Sequence, residues 1–137
     1  MSFYDKKKFE IFLFLNSNKE DEGTLKFKSL VDNSINITNL NDVDCINTIR
    51  KLNLNIIFDL MGVTSTNRVS LFKNRLAPIQ ISWLGYCNTI GIKNMDYLIA
   101  DPNLIYKNEI DQYSEKVLFL PNIWNCHSGF EFPRQEH

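Results

Sequence analysis

Short apolar runs alternate with segments of helical spacing along this 137-residue chain. Phe9-Glu10-Ile11-Phe12-Leu13-Phe14-Leu15 is nearly continuous and rich in β-formers, as in a strand covered on both faces. Thr24 to Asp32 then places Phe27, Leu30 and Val31 at helical spacing, and Ser34 to Thr38 alternates Ile35 and Ile37 as a short second strand. Asn41 or Asp42 caps the next predicted helix, in which Cys45, Ile49 and Leu52 recur at i, i+4 and i+7. Ile56 to Met61 reads as a third strand ended by Gly62. Thr64-Ser65-Thr66 offers caps for a helix carrying Val69, Phe72 and Leu76, stopped at Ala77-Pro78. Ile79 to Leu84, Tyr97 to Ala100 and Val117 to Leu120 complete the strands, the last closed by Pro121.

Strands alternating with single helices imply right-handed crossovers and a parallel sheet with helices on both faces. The expected fold class is therefore α/β, a Rossmann-like layer occupying residues 1–121. Residues 122–137 keep Trp124, Phe130 and Phe132 but lose periodicity, so they are read as an unassigned tail. Neither an internal repeat nor a linker rich in Pro, Gly or Ser interrupts the chain.

Charge narrows the function classes. Fifteen Lys+Arg against 16 Asp+Glu leave a net charge of −1, which argues against a nucleic-acid or membrane-surface partner, since both need a clustered basic field. The basic run Lys6-Lys7-Lys8 precedes an apolar stretch broken by Glu10 and followed by no small-residue cleavage site, so no secretory signal is read. No apolar run approaches the ~20 residues that cross a bilayer. Cys45, Cys87 and Cys126 are odd in number and widely spaced, indicating neither a disulfide framework nor a zinc site, and a cytoplasmic setting is expected.

Ligands of open parallel sheets sit beyond the carboxyl ends of the strands, which directs attention to two loops. Gly62 to Arg68 offers hydroxyls and amides for a polyol or phosphate, with Arg68 just inside a helix start, although a capped helix with an exposed arginine explains the same residues. Leu84 to Gly91 contains two glycines that permit close backbone approach. Neither a dinucleotide fingerprint, a P-loop nor a nucleophile elbow is present, and His127 and His137 both fall in the tail. Adjacent Cys126 and His127 are poorly disposed as nucleophile and base. Asp59 and Asp101 end strands, where a carboxylate more often caps the following loop than acts as acid or base. The residues alone give a parallel layer with a polar ligand loop and stop short of chemistry.

A longer pattern goes further. Phe58-Asp59-Leu60-Met61-Gly62, Arg68, Arg75, Ala77-Pro78-Ile79-Gln80, Trp83-Leu84-Gly85-Tyr86, Thr89, Met95-Asp96-Tyr97 and Tyr113-Ser114-Glu115-Lys116 together resemble part of the first catalytic lobe of the O-linked N-acetylglucosamine transferase family. This is glycosyltransferase family 41, which includes the SPINDLY-type proteins and bacterial tetratricopeptide-repeat relatives. The match is tight over residues 55–121 and looser over 8–54. It implies a GT-B architecture, two Rossmann-like domains facing a cleft, of which this chain is a partial N-terminal lobe. It also implies transfer of N-acetylglucosamine from a UDP-sugar donor to Ser or Thr of an acceptor protein, with no metal and no other cofactor. The diphosphate is then neutralised by helix dipoles and basic side chains.

By this resemblance Leu84, Gly85 and Tyr86 line the sugar side of the donor pocket, with Thr89 in the same loop, while Arg68 helps shape the cleft. No residue is assigned as catalytic and none as a metal ligand. Two positions depart from the family pattern. Val63 stands where an aromatic or His often follows the Gly, and Cys87-Asn88 stand where Pro-Gly is usual. The expected function is a fragment of a protein O-glycosyltransferase, inactive alone because the donor-binding domain lies outside it. The alternatives are a degenerate, non-catalytic interaction lobe and part of a SPINDLY-type protein O-fucosyltransferase. A partial sheet also exposes an edge and apolar surface, so self-association, or docking of the missing second lobe, is expected.

Overall fold

The computed structural model describes residues 4–125, which form two units divided between Leu52 and Asn53. The expectations for Phe130, Phe132, Cys126, His127 and His137 lie outside the described residues.

In the first unit, β1 (Phe12–Leu15) and β2 (Asn33–Asn36) pair in parallel, with Phe12 opposite Asn33 and Leu15 opposite Asn36. Helix α1 (Glu22–Ser29) connects them. Asp21 caps it, its carboxylate accepting the Thr24 N–H at 2.9 Å and the Thr24 hydroxyl at 2.9 Å. Those bonds, the backbone one foremost, hold the Asp21 pKa down to about 2. The helix stops at Ser29 rather than Asp32, and Phe27 on it is 51% exposed. Helix α2 (Asp42–Lys51) follows with Asn41 as its cap, and it buries Cys45 and Ile49 as their spacing predicts.

The second unit is a four-stranded parallel sheet in the order β3 (Ile56–Asp59), β4 (Ile79–Ser82), β5 (Tyr97–Ala100), β6 (Lys116–Phe119). Where a single layer was expected, the ladders of the described residues make two parallel sheets, separated in sequence by α2 and a turn in which Asn53 adopts φ +49.

Register assigns the faces, because paired residues of parallel strands point the same way. Asp59, Ser82, Leu98 and Val117 form one row, and Phe58, Ile81, Tyr97 and Lys116 form the neighbouring row on the opposite face. Ile57, Gln80, Leu98 and Ala100 are all buried on the first face, while Phe119 of β6 is 37% exposed at its edge. Leu98, Ala100 and Ile105 form its core, with Leu104, Tyr113 and Val117 packed against them. On the second face Ile56 and Phe58 remain more than two-fifths exposed. Sequential strand order accounts for the asymmetry, since right-handed crossovers that always step the same way all run over one face.

The connections also differ from expectation. Between β3 and β4 the chain forms a 3-10 helix, Val69–Lys73, in place of the α-helix predicted to carry Val69, Phe72 and Leu76. The cause is Gln80, fully buried on β4. Its Oε1 accepts the Leu76 N–H at 2.9 Å while its Nε2 donates to the Phe72 carbonyl at 3.1 Å. A continuing α-helix would pair those two groups with each other. The Gln80 amide is inserted between them, and Asn74 is extended. A second 3-10 helix, Lys107–Gln112, connects β5 to β6 and carries no strong sequence period.

Candidate active-site loops

All four strands of the larger sheet point the same way, so the loops following β3, β4, β5 and β6 meet at one edge. Asp59 ends β3 with its carboxylate turned back on its own loop, accepting Met61 N–H at 3.2 Å and Gly62 N–H at 2.9 Å. Burial raises the Asp59 pKa, and the two N–H bonds oppose that rise only in part. Thr64 donates to the Met61 carbonyl at 2.7 Å, and Asn67 accepts Val69 N–H at 3.1 Å. The hydroxyls and amides expected to receive a ligand are thus largely engaged in shaping the loop. Arg68 is half-buried at the N-cap of the 3-10 helix, its carbonyl accepting Leu71 N–H at 3.0 Å.

The loop after β4 is anchored to β3 where Trp83 N–H donates to the Asp59 carbonyl at 2.9 Å. Gly85 N–H then returns to the Trp83 carbonyl at 2.9 Å across Leu84, whose φ is +69. This is a three-residue γ-turn centred on a branched side chain, an uncommon and strained arrangement. The two loops interlock. A Cβ added at Gly85 would lie 2.3 Å from the Leu60 carbonyl oxygen and 2.5 Å from the Met61 Cα, and one added at Gly62 would lie 2.2 Å from the Tyr86 Cβ. Glycine is therefore required at both positions by backbone approach, and at Gly62 also by φ +58. Leu84, Gly85 and Tyr86, all half-buried, are brought together against the Gly62 loop.

Thr89 is held elsewhere. Its hydroxyl donates to Glu115 Oε2 at 2.6 Å and lies 2.9 Å from the Ser114 hydroxyl. Glu115, 3% exposed, also accepts Ile90 N–H at 2.8 Å, so one buried carboxylate ties the end of the β4 loop to the start of β6. At the end of β5, Asp101 accepts N–H groups from Asn103, Leu104 and Trp124. The Trp124 bond foremost, against an opposing desolvation, holds the Asp101 carboxyl below its ordinary pKa. Arg75 and Asp96 pair beside the start of β4, and Asp96 accepts Gln80 N–H at 2.8 Å. Burial pushes the Asp96 pKa up, but these two bonds outweigh it and the net shift is downward.

A shallow depression of about 290 Å³, lined by Lys73, Gly91, Ile92, Lys93 and Asn94, is formed by residues preceding β4 and β5 together with Gly91. It belongs to the opposite edge of the sheet from the interlocked turns. Among the described residues no cluster of three His, Cys, Asp or Glu has a metal-ligand arrangement.

The buried roles of Gln80 and Glu115 were not legible as such, although both stand inside the motif block that carries the family resemblance. Their partners lie up to 26 positions away, beyond the reach of local pattern.

The sequence profile described as Glycosyl transferase family 41 matches residues 1–129. The chain belongs to that family. A rice protein named as a probable UDP-N-acetylglucosamine–peptide N-acetylglucosaminyltransferase SPINDLY is 26% identical over 132 residues, covering 93% of this chain and 14% of the rice protein. The UDP-N-acetylglucosamine–peptide N-acetylglucosaminyltransferase of Caenorhabditis elegans is 28% identical over 123 residues, 87% of this chain and 10% of the nematode protein. A mutant O-GlcNAc transferase of Thermobaculum terrenum superposes with a TM-score of 0.85 at 27% identity, covering 88% of this chain and 23% of that one. The chain of family 41 thus spans about a seventh of the length of the plant relative and carries part of a GT-B enzyme's α/β lobe.

Proposed function

We propose that this family 41 chain supplies the sugar-facing part of the first lobe of a protein O-glycosyltransferase, which moves N-acetylglucosamine from UDP-GlcNAc to Ser or Thr of an acceptor protein. The interlock of the Gly62 loop with the Trp83-Leu84-Gly85-Tyr86 turn carries this reading. It fixes a strained turn at the carboxyl edge of a parallel sheet, where such sheets take ligands, inside the segment the family profile matches. Leu84, Gly85 and Tyr86 face the sugar. Arg68, at the start of the neighbouring 3-10 helix, shapes the cleft wall. Thr89 acts from one step behind, since its hydroxyl is engaged with Glu115 and Ser114. No catalytic residue is assigned to this chain, and the uridine and diphosphate are held by residues outside it. The chain alone is therefore inactive. No metal or resident cofactor takes part, the reaction setting is cytoplasmic, and the acceptor protein approaches from this lobe.

Saturation-transfer NMR on the 137-residue chain with millimolar UDP-GlcNAc tests the assignment. Saturation is expected on the N-acetylglucosamine protons and not on the uridine, and Tyr86→Ala abolishes it. Saturation confined to the uridine, or none at all, sinks the reading. Micromolar affinity by calorimetry would contradict the placing of the main donor contacts elsewhere.

A further inference from the structure

Trp83 is held at three points. Its backbone N–H donates to Asp59 of β3, its carbonyl closes the γ-turn over Leu84, and its indole Nε1 donates to the Trp124 carbonyl at 2.8 Å. The indole also meets Phe58 with ring centres 6.3 Å apart at a 58° tilt. The third point is itself tied down, because the Trp124 N–H donates to Asp101 Oδ2 at 2.7 Å. One residue, its N–H donating to Asp101 and its carbonyl accepting from the Trp83 indole, therefore links the end of β5 to the residue that opens the γ-turn. Asn103 Nδ2 adds a longer contact to the Asn122 carbonyl at 3.4 Å on the same segment.

We propose that Asp101 is a positioning residue for the Trp83-Leu84-Gly85-Tyr86 turn, acting through the backbone of Trp124. Naming that turn sugar-facing rests on the function proposed above; the mechanical link does not. The two carboxylate oxygens divide the work. Oδ1 takes Asn103 N–H at 2.7 Å and Leu104 N–H at 3.0 Å, the local bonds that any strand-end aspartate makes. Oδ2 is left for a residue 23 positions away. At 2% exposure no bulk water competes for that oxygen, so its loss is not replaced by solvent. Asparagine satisfies the local half alone: its carbonyl keeps the Asn103 and Leu104 N–H groups, while its NH2 opposes the Trp124 N–H, donor against donor.

The test needs no ligand. The chain has two tryptophans, hence two indole N–H signals in a 15N spectrum, assigned by Trp124→Phe, which keeps the backbone N–H and carbonyl. The Trp83 indole proton should exchange with water about tenfold more slowly than a free indole, in line with one retained hydrogen bond. Asp101→Asn should remove that protection and shift the Leu84, Gly85 and Tyr86 amide signals, while those of Ile57 and Ile81 stay in place. A folded Asp101→Asn variant with unchanged Trp83 exchange and unchanged turn signals overturns the proposal. Should that variant fail to fold, the unmodified chain decides: a Trp83 indole exchanging as a free one overturns the link, and a protected one sustains it. A chain that binds no UDP-GlcNAc refutes the proposed function and leaves these signals untouched.

Discussion

Three backbone positions with positive φ make different demands at the residue scale. Gly62 and Gly91 have φ of +58 and +68, but only Gly62 faces a neighbour, since a Cβ at Gly91 meets nothing within 4 Å. Gly91→Ala should therefore cost about 1 kcal/mol of unfolding free energy from left-handed strain alone. Gly62→Ala, with strain and a clash on Tyr86, should cost at least about 2 kcal/mol. Equal denaturant midpoints for the two variants would refute the interlock. Leu84 sits at φ +69 without glycine's freedom, and nothing in its sequence neighbourhood signals this. The strain comes from a bond between Trp83 and Gly85 that only the folded loop makes.

The two strand-end aspartates should titrate with opposite signs. The pKa of Asp59 is raised from 3.8, so its contribution is present while neutral and is lost as pH rises through the raised value. That of Asp101 is lowered from 3.8, so its contribution is present above that pH and is lost as pH falls through the lowered value. Relative to Asp59→Asn the parent chain should lose stability on going from about pH 3 to about pH 6; relative to Asp101→Asn it should gain. Denaturation midpoints across that range check both, and slopes of the same sign would contradict the assignment.

At the scale of elements, five of the six strands of the described residues were legible in short apolar runs, β2 in the alternation that includes Ile35, and α2 in its cap and its buried Cys45 and Ile49. The element between β3 and β4 was not. Periodicity over Val69, Phe72 and Leu76 is that of an α-helix, and locally the pattern is sound. A side chain from the following strand enters the turn and takes its hydrogen bonds, an event set by tertiary structure. Gln80 also donates to the Asn94 carbonyl at 2.7 Å, so Gln80→Leu orphans three backbone groups at once. A loss of about 3 kcal/mol in denaturant unfolding is expected. A near-neutral effect would mean that Leu76 N–H and the Phe72 carbonyl had paired, converting the 3-10 turn to the helix the sequence suggests. For the candidate site the same division holds. Gly85 and the motif around it were visible in order and spacing, whereas Glu115 and the Asp101–Trp124 bond depend on loops meeting in space.

For the molecule as a whole, the parallel α/β class followed from alternation, but the exposure of Ile56 and Phe58 on one face of the larger unit did not, because strand order cannot be read from spacing. Ile56 and Phe58 on β3 and Leu118 on β6 share the exposed face. Apolar area of that kind drives association. Ile56→Lys with Leu118→Lys should lower the apparent mass of the chain in light scattering, and a parent that is monodisperse at every concentration would contradict the expectation. Strand order has one more consequence. β3, β4, β5 and β6 lie side by side in the order in which a ribosome delivers them. Each strand finds its neighbour already made, its partner edge open, and no later segment has to be inserted between two earlier ones. The larger unit can thus be assembled vectorially, strand upon strand, while the chain is still being synthesised.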